Sequence, residues 1–199
     1  MFIVSRRRRT VRRSSGSLAG LALSLAVVAA IPARGWAQVA GGSAETLPVN
    51  QVTTLRRAGT EDLAKSVRAL QGTLTELQAL QLQTKQAHWN VSGSAFWQLH
   101  EMLQEHYEGI AKYADEVAER LLAVGSSSDG RAATIVQTSR LPEIPGGFLD
   151  DSRVLTFFTE QYATVGGRVH GRVKDVEDVD PTSSNLLQEV EHDIEKYQW

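Results

Sequence analysis

Two histidines and two carboxylates near the middle of the chain are of the types that bind transition metals. His88 and His100 flank a short segment that contains Gly93, and Asp115 and Glu119 follow along the chain. Imidazole nitrogen and carboxylate oxygen form a mixed ligand set that suits Fe(II). The competing interpretation is that the carboxylates are solvated and the histidines only pack against neighbours. The chain has no cysteine, which excludes a thiolate site and a disulfide framework.

One long helix is predicted to carry three of these four groups. Ser94 is a good N-cap residue and Gly125 is a good C′ residue. Apolar residues recur between them at helical spacing: Leu99, Leu103, Ile110, Val117, Leu121 and Val124. His100 and Asp115 are therefore expected to lie about 22 Å apart along one helix axis.

That separation determines the kind of site. His100, Gln104, Asp115 and Glu119 share one sector of the helix, but metal–ligand bonds are only about 2 Å long. One chain cannot bring the imidazole end and the carboxylate end to one ion. A second copy packed antiparallel about a two-fold axis can, because His88 and His100 of one subunit then face the carboxylates of the other.

The same residues carry a resemblance to a known family. The string KQAHWNVSGSAF, followed by LHEML and then D-x-x-A-E-R, resembles the signature of the Dps family, the mini-ferritins that oxidise and store iron in bacteria. The resemblance extends from about residue 60 to the end of the chain. It implies that iron, as Fe(II) and Fe(III), is the metal and that Trp89 lies beside the site. The four ferroxidase ligands that it implies are His88, His100, Asp115 and Glu119.

Gln104 departs from the family pattern, which usually has an aspartate one turn after the second histidine. An amide oxygen is neutral and is a weaker ligand for a hard divalent cation than a carboxylate. Glu105 cannot simply replace it, because it lies about 100° around the helix. Gln104→Asp is therefore expected to tighten Fe(II) binding.

The resemblance also implies an assembly and a reaction. Twelve subunits would form a hollow homo-oligomer that oxidises Fe(II) with hydrogen peroxide and stores the ferric mineral. Asp175, Asp178 and Asp180 lie near a junction where family members line a pore for iron, although a solvated acidic turn explains these residues equally well.

The alternative function is a DNA-compacting or structural cage with little or no ferroxidase activity. Of the remaining histidines, His106 is expected to point away from the ligand stripe. His170 and His192 have no matching partner by spacing and are expected to be surface or packing residues.

Residues 1–37 have the layout of a cleaved export signal. Seven arginines and no acidic residue precede or flank an apolar run of 14 residues, 18–31, and small residues at 35 and 37 favour cleavage after Ala37. The run is short for a membrane span of about 20 residues. We expect export to the bacterial periplasm by the Sec or twin-arginine route, and a cytoplasmic protein if the signal is not used.

Charge separates the signal from the rest of the chain. The 199 residues carry a net charge of −2, but removal of residues 1–37 leaves 14 basic and 23 acidic residues, a net charge of about −9. The arginine cluster at 6–13 is alternatively a DNA-binding arm, as in some members of this family. Duplex DNA binding is not expected of the processed form, because phosphate binding needs clustered cations.

An all-α fold is predicted after a linker at 38–59. Four long helices form a ferritin-like four-helix bundle over residues 60–199, with a short extra helix near 131–139 in the crossover between the second and third. The expected helix starts are Thr60, Ser94, Asp150 or Asp151, and Thr182 or Ser183. The third helix is predicted to turn inward Val154, Leu155, Phe158, Tyr162, Val165, Val169 and Val173. Glycines at 166, 167 and 171 predict a close approach to a neighbouring helix.

Overall fold

The computed structural model describes residues 60–199, and it is an all-α four-helix bundle over that range. The predicted export signal and the linker lie outside the described residues. The elements in chain order are α1 (Thr60–Asn90), β1 (Val91–Ser92), α2 (Phe96–Ala123), α3 (Ala132–Thr138), β2 (Leu149–Asp150), α4 (Asp151–Val176) and α5 (Pro181–Gln198). Helix α3 lies in the crossover between α2 and α4, as predicted. No helix within this range is both long and apolar enough to span a bilayer.

The core of the bundle is formed by the periodic apolar faces of the four long helices. Buried residues recur along each long helix about every three or four positions, so one stripe of each helix faces inward. Fully buried members include Leu70, Leu77, Leu103, Ile110, Val117, Val165, Leu187 and Val190. The prediction for α4 was wrong at Leu155, which is 46% exposed. The other six residues of its predicted inner face are buried.

A two-residue parallel strand pair, absent from the sequence-based prediction, ties the α1–α2 turn to the start of α4. Val91 pairs with Leu149, and Ser92 pairs with Asp150. The pair is buried on one side, since Val91 and Leu149 are only 4% and 3% exposed. It fixes where α1 ends and where α2 begins.

The N-terminus of α2 is capped by a residue that is distant in the sequence, Asp151. Ser94 was wrongly predicted as the cap: Ala95 holds that position and forms no side-chain cap. The Ala95 backbone N–H instead donates to the Asp151 carboxylate at 3.0 Å, and the Ser94 hydroxyl lies 3.5 Å from the same carboxylate. Gly93 adopts φ 124°, and a Cβ there would lie 2.4 Å from Asp151 Oδ2. This turn therefore requires glycine.

The other helix ends differ from the predictions by small amounts. Gly125, with φ 87°, ends α2 as predicted, with the Ser126 N–H donating to the Leu121 carbonyl. Helix α5 begins at Pro181, before the predicted start, because Asp180 is its cap. Helix α4 begins after Asp150, whose side chain accepts from the Ser152 hydroxyl and not from a backbone N–H.

Two of the three interior glycines of α4 do not lie at a contact with a neighbouring helix. A Cβ at Gly167 or Gly171 would meet nothing within 4 Å, and at Gly166 it would make an ordinary contact of 3.6 Å with Ile194. The expected close approach was therefore wrong for two of the three.

Candidate metal centre

His88 and His100 form a stacked imidazole pair where α1 ends and α2 begins. Their ring centroids are 3.7 Å apart with an interplanar angle of 24°. Nδ1 of His88 lies 2.9 Å from the backbone oxygen of His100, and Nδ1 of His100 lies 3.0 Å from the backbone oxygen of His88. A carbonyl oxygen only accepts, so each Nδ1 carries the proton. Each Nε2 keeps its lone pair, which is the form that binds a metal.

The surroundings also keep His88 neutral. Burial is the main reason that the pKa of His88 lies below its ordinary value. The hydrogen bond to His100 partly offsets that effect, and the nearby His100 and Lys85 lower the pKa further. A neutral imidazole is needed for ligation, because a protonated ring has no free lone pair.

The local fold accounts for the ring pairing. The parallel strand pair, the glycine turn at Gly93 and the Asp151 cap determine how α1 leads into α2. Residues 88 and 100 are thereby brought face to face across a connection of eleven residues. This imidazole pair, a candidate half-site for a metal, thus depends on a contact from α4, although neither ring belongs to α4.

The carboxylate end lies elsewhere on α2. Asp115 and Glu119 are both exposed on that helix, and Asp115 follows His100 by 15 residues, about 22 Å of helix. No group of three or more histidine, cysteine or acidic side chains within residues 60–199 could hold a metal in one chain. The four candidate ligands therefore lie as two separate pairs: two imidazoles where α1 meets α2, and two solvent-facing carboxylates farther along α2.

Gln104 is engaged by its own chain. Its side-chain oxygen accepts from the Lys85 ammonium, and its amide nitrogen donates to Glu108 at 2.6 Å. Lys85 also lies over the ring of Tyr107, 4.7 Å from its centroid. Sequence reasoning missed Lys85, although its position one turn before His88 places it on the same face of α1.

The remaining candidate residues are distributed over the surface and the core. Trp89, beside His88, is 65% exposed. Asp175 and Asp178 are exposed at the end of α4, whereas Asp180 is buried. Asp180 accepts from the Ser183 backbone N–H at 3.2 Å and pairs with Arg120 at 2.8 Å. Its side chain therefore has a structural role as the cap of α5.

Burial by itself would raise the pKa of Asp180. The hydrogen bonds from Ser183 and the charge of Arg120 outweigh burial, so the pKa lies below its ordinary value. The carboxyl group is therefore ionised at neutral pH, as a cap and an ion-pair partner must be.

The three histidines without a predicted metal role have other partners or are exposed. His106 is buried, with Nδ1 3.0 Å from the hydroxyl of Tyr162. His170 is paired with Glu191 at 2.7 Å on the surface, and His192 is exposed. They lie outside the imidazole half-site, as the sequence predicted.

Comparisons with known proteins identify the family. A ferritin-like domain matches residues 67–199. The chain is 74% identical over 157 residues to DNA protection during starvation protein 2 of Deinococcus radiodurans, covering 79% of this chain and 65% of that protein. It is 32% identical over 130 residues to the DNA protection during starvation protein of Mycolicibacterium smegmatis, covering 65% of this chain and 71% of that protein.

Solved structures agree with the sequence relatives. Dps92 from Deinococcus radiodurans superposes with a TM-score of 0.70 and 76% identity, covering 70% of this chain and 85% of that one. The tetragonal form of Mycobacterium smegmatis Dps gives a TM-score of 0.69 at 27% identity, covering 79% and 91%. The bundle is thus ferritin-like, and the chain belongs to the Dps family of mini-ferritins.

Proposed function

We propose that this protein oxidises Fe(II) with hydrogen peroxide at sites shared by two subunits and stores the ferric mineral inside a hollow homo-oligomer of twelve subunits. The observation that carries the proposal is the stacked His88–His100 pair, which within residues 60–199 belongs to no group of three or more potential metal ligands. Asp115 and Glu119 of a second subunit supply the missing charge. Consuming Fe(II) and peroxide together protects the cell, since their reaction in solution produces hydroxyl radicals.

An apolar surface beside the imidazole pair supports the dimer. A groove of about 670 Å³ between α1 and α3 is lined by Leu82, Trp89 and Val136, which are 62%, 65% and 73% exposed. Contiguous exposed apolar surface of this kind marks an interaction site. Lys85 and Trp89 are in the wall of the groove and lie within one turn of His88. A subunit that covers this surface would also reach the half-site.

Each ligand type has its own role in the reaction. The imidazoles bind Fe(II) through neutral nitrogen, and the partner's carboxylates compensate the charge as Fe(III) forms. Two Fe(II) ions supply the two electrons that reduce one hydrogen peroxide to two water molecules, with two protons taken from solvent. Fe(II) is the substrate, and the protein contributes ligands, orientation and confinement.

Anaerobic titration of the assembled protein with Fe(II), followed by peroxide and absorbance of the ferric product, tests this function. We expect saturable binding and rapid oxidation in the wild type and in His170→Ala, a surface control paired only with Glu191. His88→Ala should abolish both. Equal oxidation by wild type and His88→Ala would contradict the proposal.

Two observations favour the alternative function, a cage that compacts DNA and has little ferroxidase activity. The relatives are named for DNA protection, and the side-chain oxygen of Gln104 accepts from Lys85 and so is not free to bind a metal. The net charge of about −9 on residues 38–199 opposes it. A gel-shift assay at physiological salt should show no duplex binding by the processed form. Tight, salt-sensitive binding by that form would favour the cage.

We further propose that the protein is exported to the bacterial periplasm. The arginine-rich start, the apolar run and the small residues at 35 and 37 support a signal cleaved after Ala37. Intact mass of protein from its native host should give an N-terminus near Gln38. A full-length product in the cytoplasm would contradict export.

A further inference from the structure

A buried tyrosine and a buried histidine, neither of them a candidate metal ligand, are hydrogen-bonded in the bundle core. Tyr162 of α4 is 1% exposed and His106 of α2 is 7% exposed, and the phenol oxygen lies 3.0 Å from Nδ1 of the imidazole. The phenol is the more acidic donor of the two neutral groups and the imidazole nitrogen is the more basic acceptor. The hydroxyl of Tyr162 therefore donates to His106.

This pair is connected to both helices that carry the imidazole ligands. The side chain of Thr84 lies near the Tyr162 phenol, with its own hydroxyl donating to the Leu80 carbonyl, and Thr84 precedes His88 by one turn, about 6 Å along α1. His106 follows His100 by six residues, about 9 Å along α2. The phenol is thus within a few helical turns of the place where Fe(II) is proposed to bind.

Aromatic rings extend the pair toward the surface. Tyr197 of α5 stacks on His106 with centroids 4.2 Å apart, and its ring centroid lies 5.9 Å from that of Tyr162. Tyr197 is half-buried. Burial lowers the pKa of His106 to about 4, so the imidazole is neutral at physiological pH and its Nδ1 can receive a proton.

Tyr113 provides an internal comparison. It is also buried, but its hydroxyl donates to the Asp193 carboxylate at 2.8 Å. Burial is the main cause that raises the pKa of Tyr113, and the Asp193 bond reinforces it. Tyr113 itself lies on α2, two residues before Asp115, but its hydrogen-bond acceptor is a carboxylate of α5 and not an imidazole.

We propose that Tyr162 is an electron donor to the iron site, with His106 as the acceptor of its proton. This inference rests on the proposed ferroxidase function. It applies when a site holds a single Fe(II) ion, which supplies only one of the two electrons that hydrogen peroxide requires. Tyr162 supplies the second electron, so hydroxyl radical is not released.

The step balances in atoms and electrons. Fe(II) loses one electron and becomes Fe(III), and the phenol of Tyr162 loses one electron and becomes a neutral tyrosyl radical. The phenolic O–H bond breaks and the proton forms an N–H bond at Nδ1 of His106, giving imidazolium. The O–O bond of the peroxide breaks, and two protons from solvent complete two water molecules.

Rapid freezing after one Fe(II) per site and one equivalent of peroxide, followed by electron paramagnetic resonance, tests the proposal. The wild type should give a tyrosyl radical, and ring-deuterated tyrosine should narrow its signal. Tyr162→Phe should lose most of the radical, and Tyr113→Phe should keep it. His106→Phe should lower the yield at least several-fold, since the phenolic proton then has no acceptor.

Peptide mapping of the wild-type protein after turnover measures oxidation of each tyrosine without any substitution. It therefore tests the proposal even if a variant fails to fold. Trypsin releases residues 154–168 with Tyr162 as the only tyrosine, and residues 113–120 with Tyr113 as the only tyrosine. Repeated turnover should oxidise the first peptide more than the second. Ferric product without a tyrosyl radical, or an undiminished radical in Tyr162→Phe, would overturn this inference alone. No ferric product from two Fe(II) per site would overturn the proposed function.

Discussion

The stacked rings of His88 and His100 are each bonded through Nδ1 to the backbone carbonyl of the other residue, at 2.9 and 3.0 Å. Metal-binding histidines usually donate their second ring nitrogen to a partner that fixes tautomer and orientation. Here those partners are backbone atoms, so the geometry of the half-site depends on the turn between α1 and α2. Side chains that shape this turn should affect iron binding without touching iron.

Gly93→Ala tests that dependence. The substitution puts a Cβ 2.4 Å from Asp151 Oδ2 at a backbone φ of 124°. We expect a loss of roughly 1–3 kcal/mol in the free energy of unfolding and weaker Fe(II) binding, measured by denaturant unfolding and anaerobic titration. Gly146→Ala is the matched control, because a Cβ there meets nothing within 4 Å. Equal effects of the two substitutions would show that the turn does not determine the site.

Lys85 changes the expectation for Gln104. From the sequence, Gln104→Asp alone should tighten Fe(II) binding, but the Lys85 ammonium would pair with the new carboxylate. We therefore expect little gain from the single substitution and about tenfold tighter binding, about 1.4 kcal/mol, from Lys85→Met combined with Gln104→Asp. Lys85→Met alone is the control. If the double variant binds no more tightly than the wild type, residue 104 does not face the metal.

His106 should make the fold sensitive to mild acid. The pKa of His106 is about 4 in the folded protein, against an ordinary value of 6.5 for histidine, so the unfolded chain binds more protons between those pH values. The stabilisation is complete above pH 6.5 and is lost as the pH falls toward 4, by on the order of 2 kcal/mol. Thermal unfolding at fixed protein concentration should show a smaller pH dependence in His106→Phe than in wild type. Parallel curves would contradict this assignment.

Asp180 should stabilise the fold, in contrast to its acidic neighbours. It caps α5 and pairs with Arg120, and both contacts are largely buried. Asp180→Ala is expected to cost about 3 kcal/mol, since it removes a cap and leaves a guanidinium without its carboxylate. Asp178→Ala, at an exposed position, should change the free energy of unfolding by less than about 0.5 kcal/mol. Denaturant unfolding that ranks the two equally would contradict the capping role.

Helical periodicity was sufficient to predict the bundle because each long helix buries one continuous stripe. It could not predict the cap of α2, since Asp151 lies 56 residues from Ala95 and only tertiary structure brings them together. The strand pair at Val91 and Leu149 is two residues long and has no alternation to detect.

For the candidate site, the sequence predicted the positions of residues along the helices but not the side-chain contacts between helices. Spacing kept Asp115 far from His100, because helix rise is regular, and the inferred two-fold arrangement put His88 and His100 on the same side of the site. The ring stacking and the Lys85–Gln104 contact depend on side-chain conformations across two helices, which sequence spacing does not specify. Asp180 was grouped with its acidic neighbours because burial is not visible in a run of acids.

Subunit complementation tests the central claim, that each iron site is shared between two subunits. His100→Ala and Asp115→Ala should each abolish Fe(II) oxidation, because each removes one half of every site. In a dimer containing one of each mutant subunit, one of the two sites combines intact histidines with intact carboxylates. Random mixing should therefore restore about a quarter of the wild-type sites. Anaerobic Fe(II) titration and peroxide oxidation of the mixed oligomer are the measurement. Recovery near that level is the predicted result, and no recovery in oligomers shown to contain both subunits would contradict the shared site.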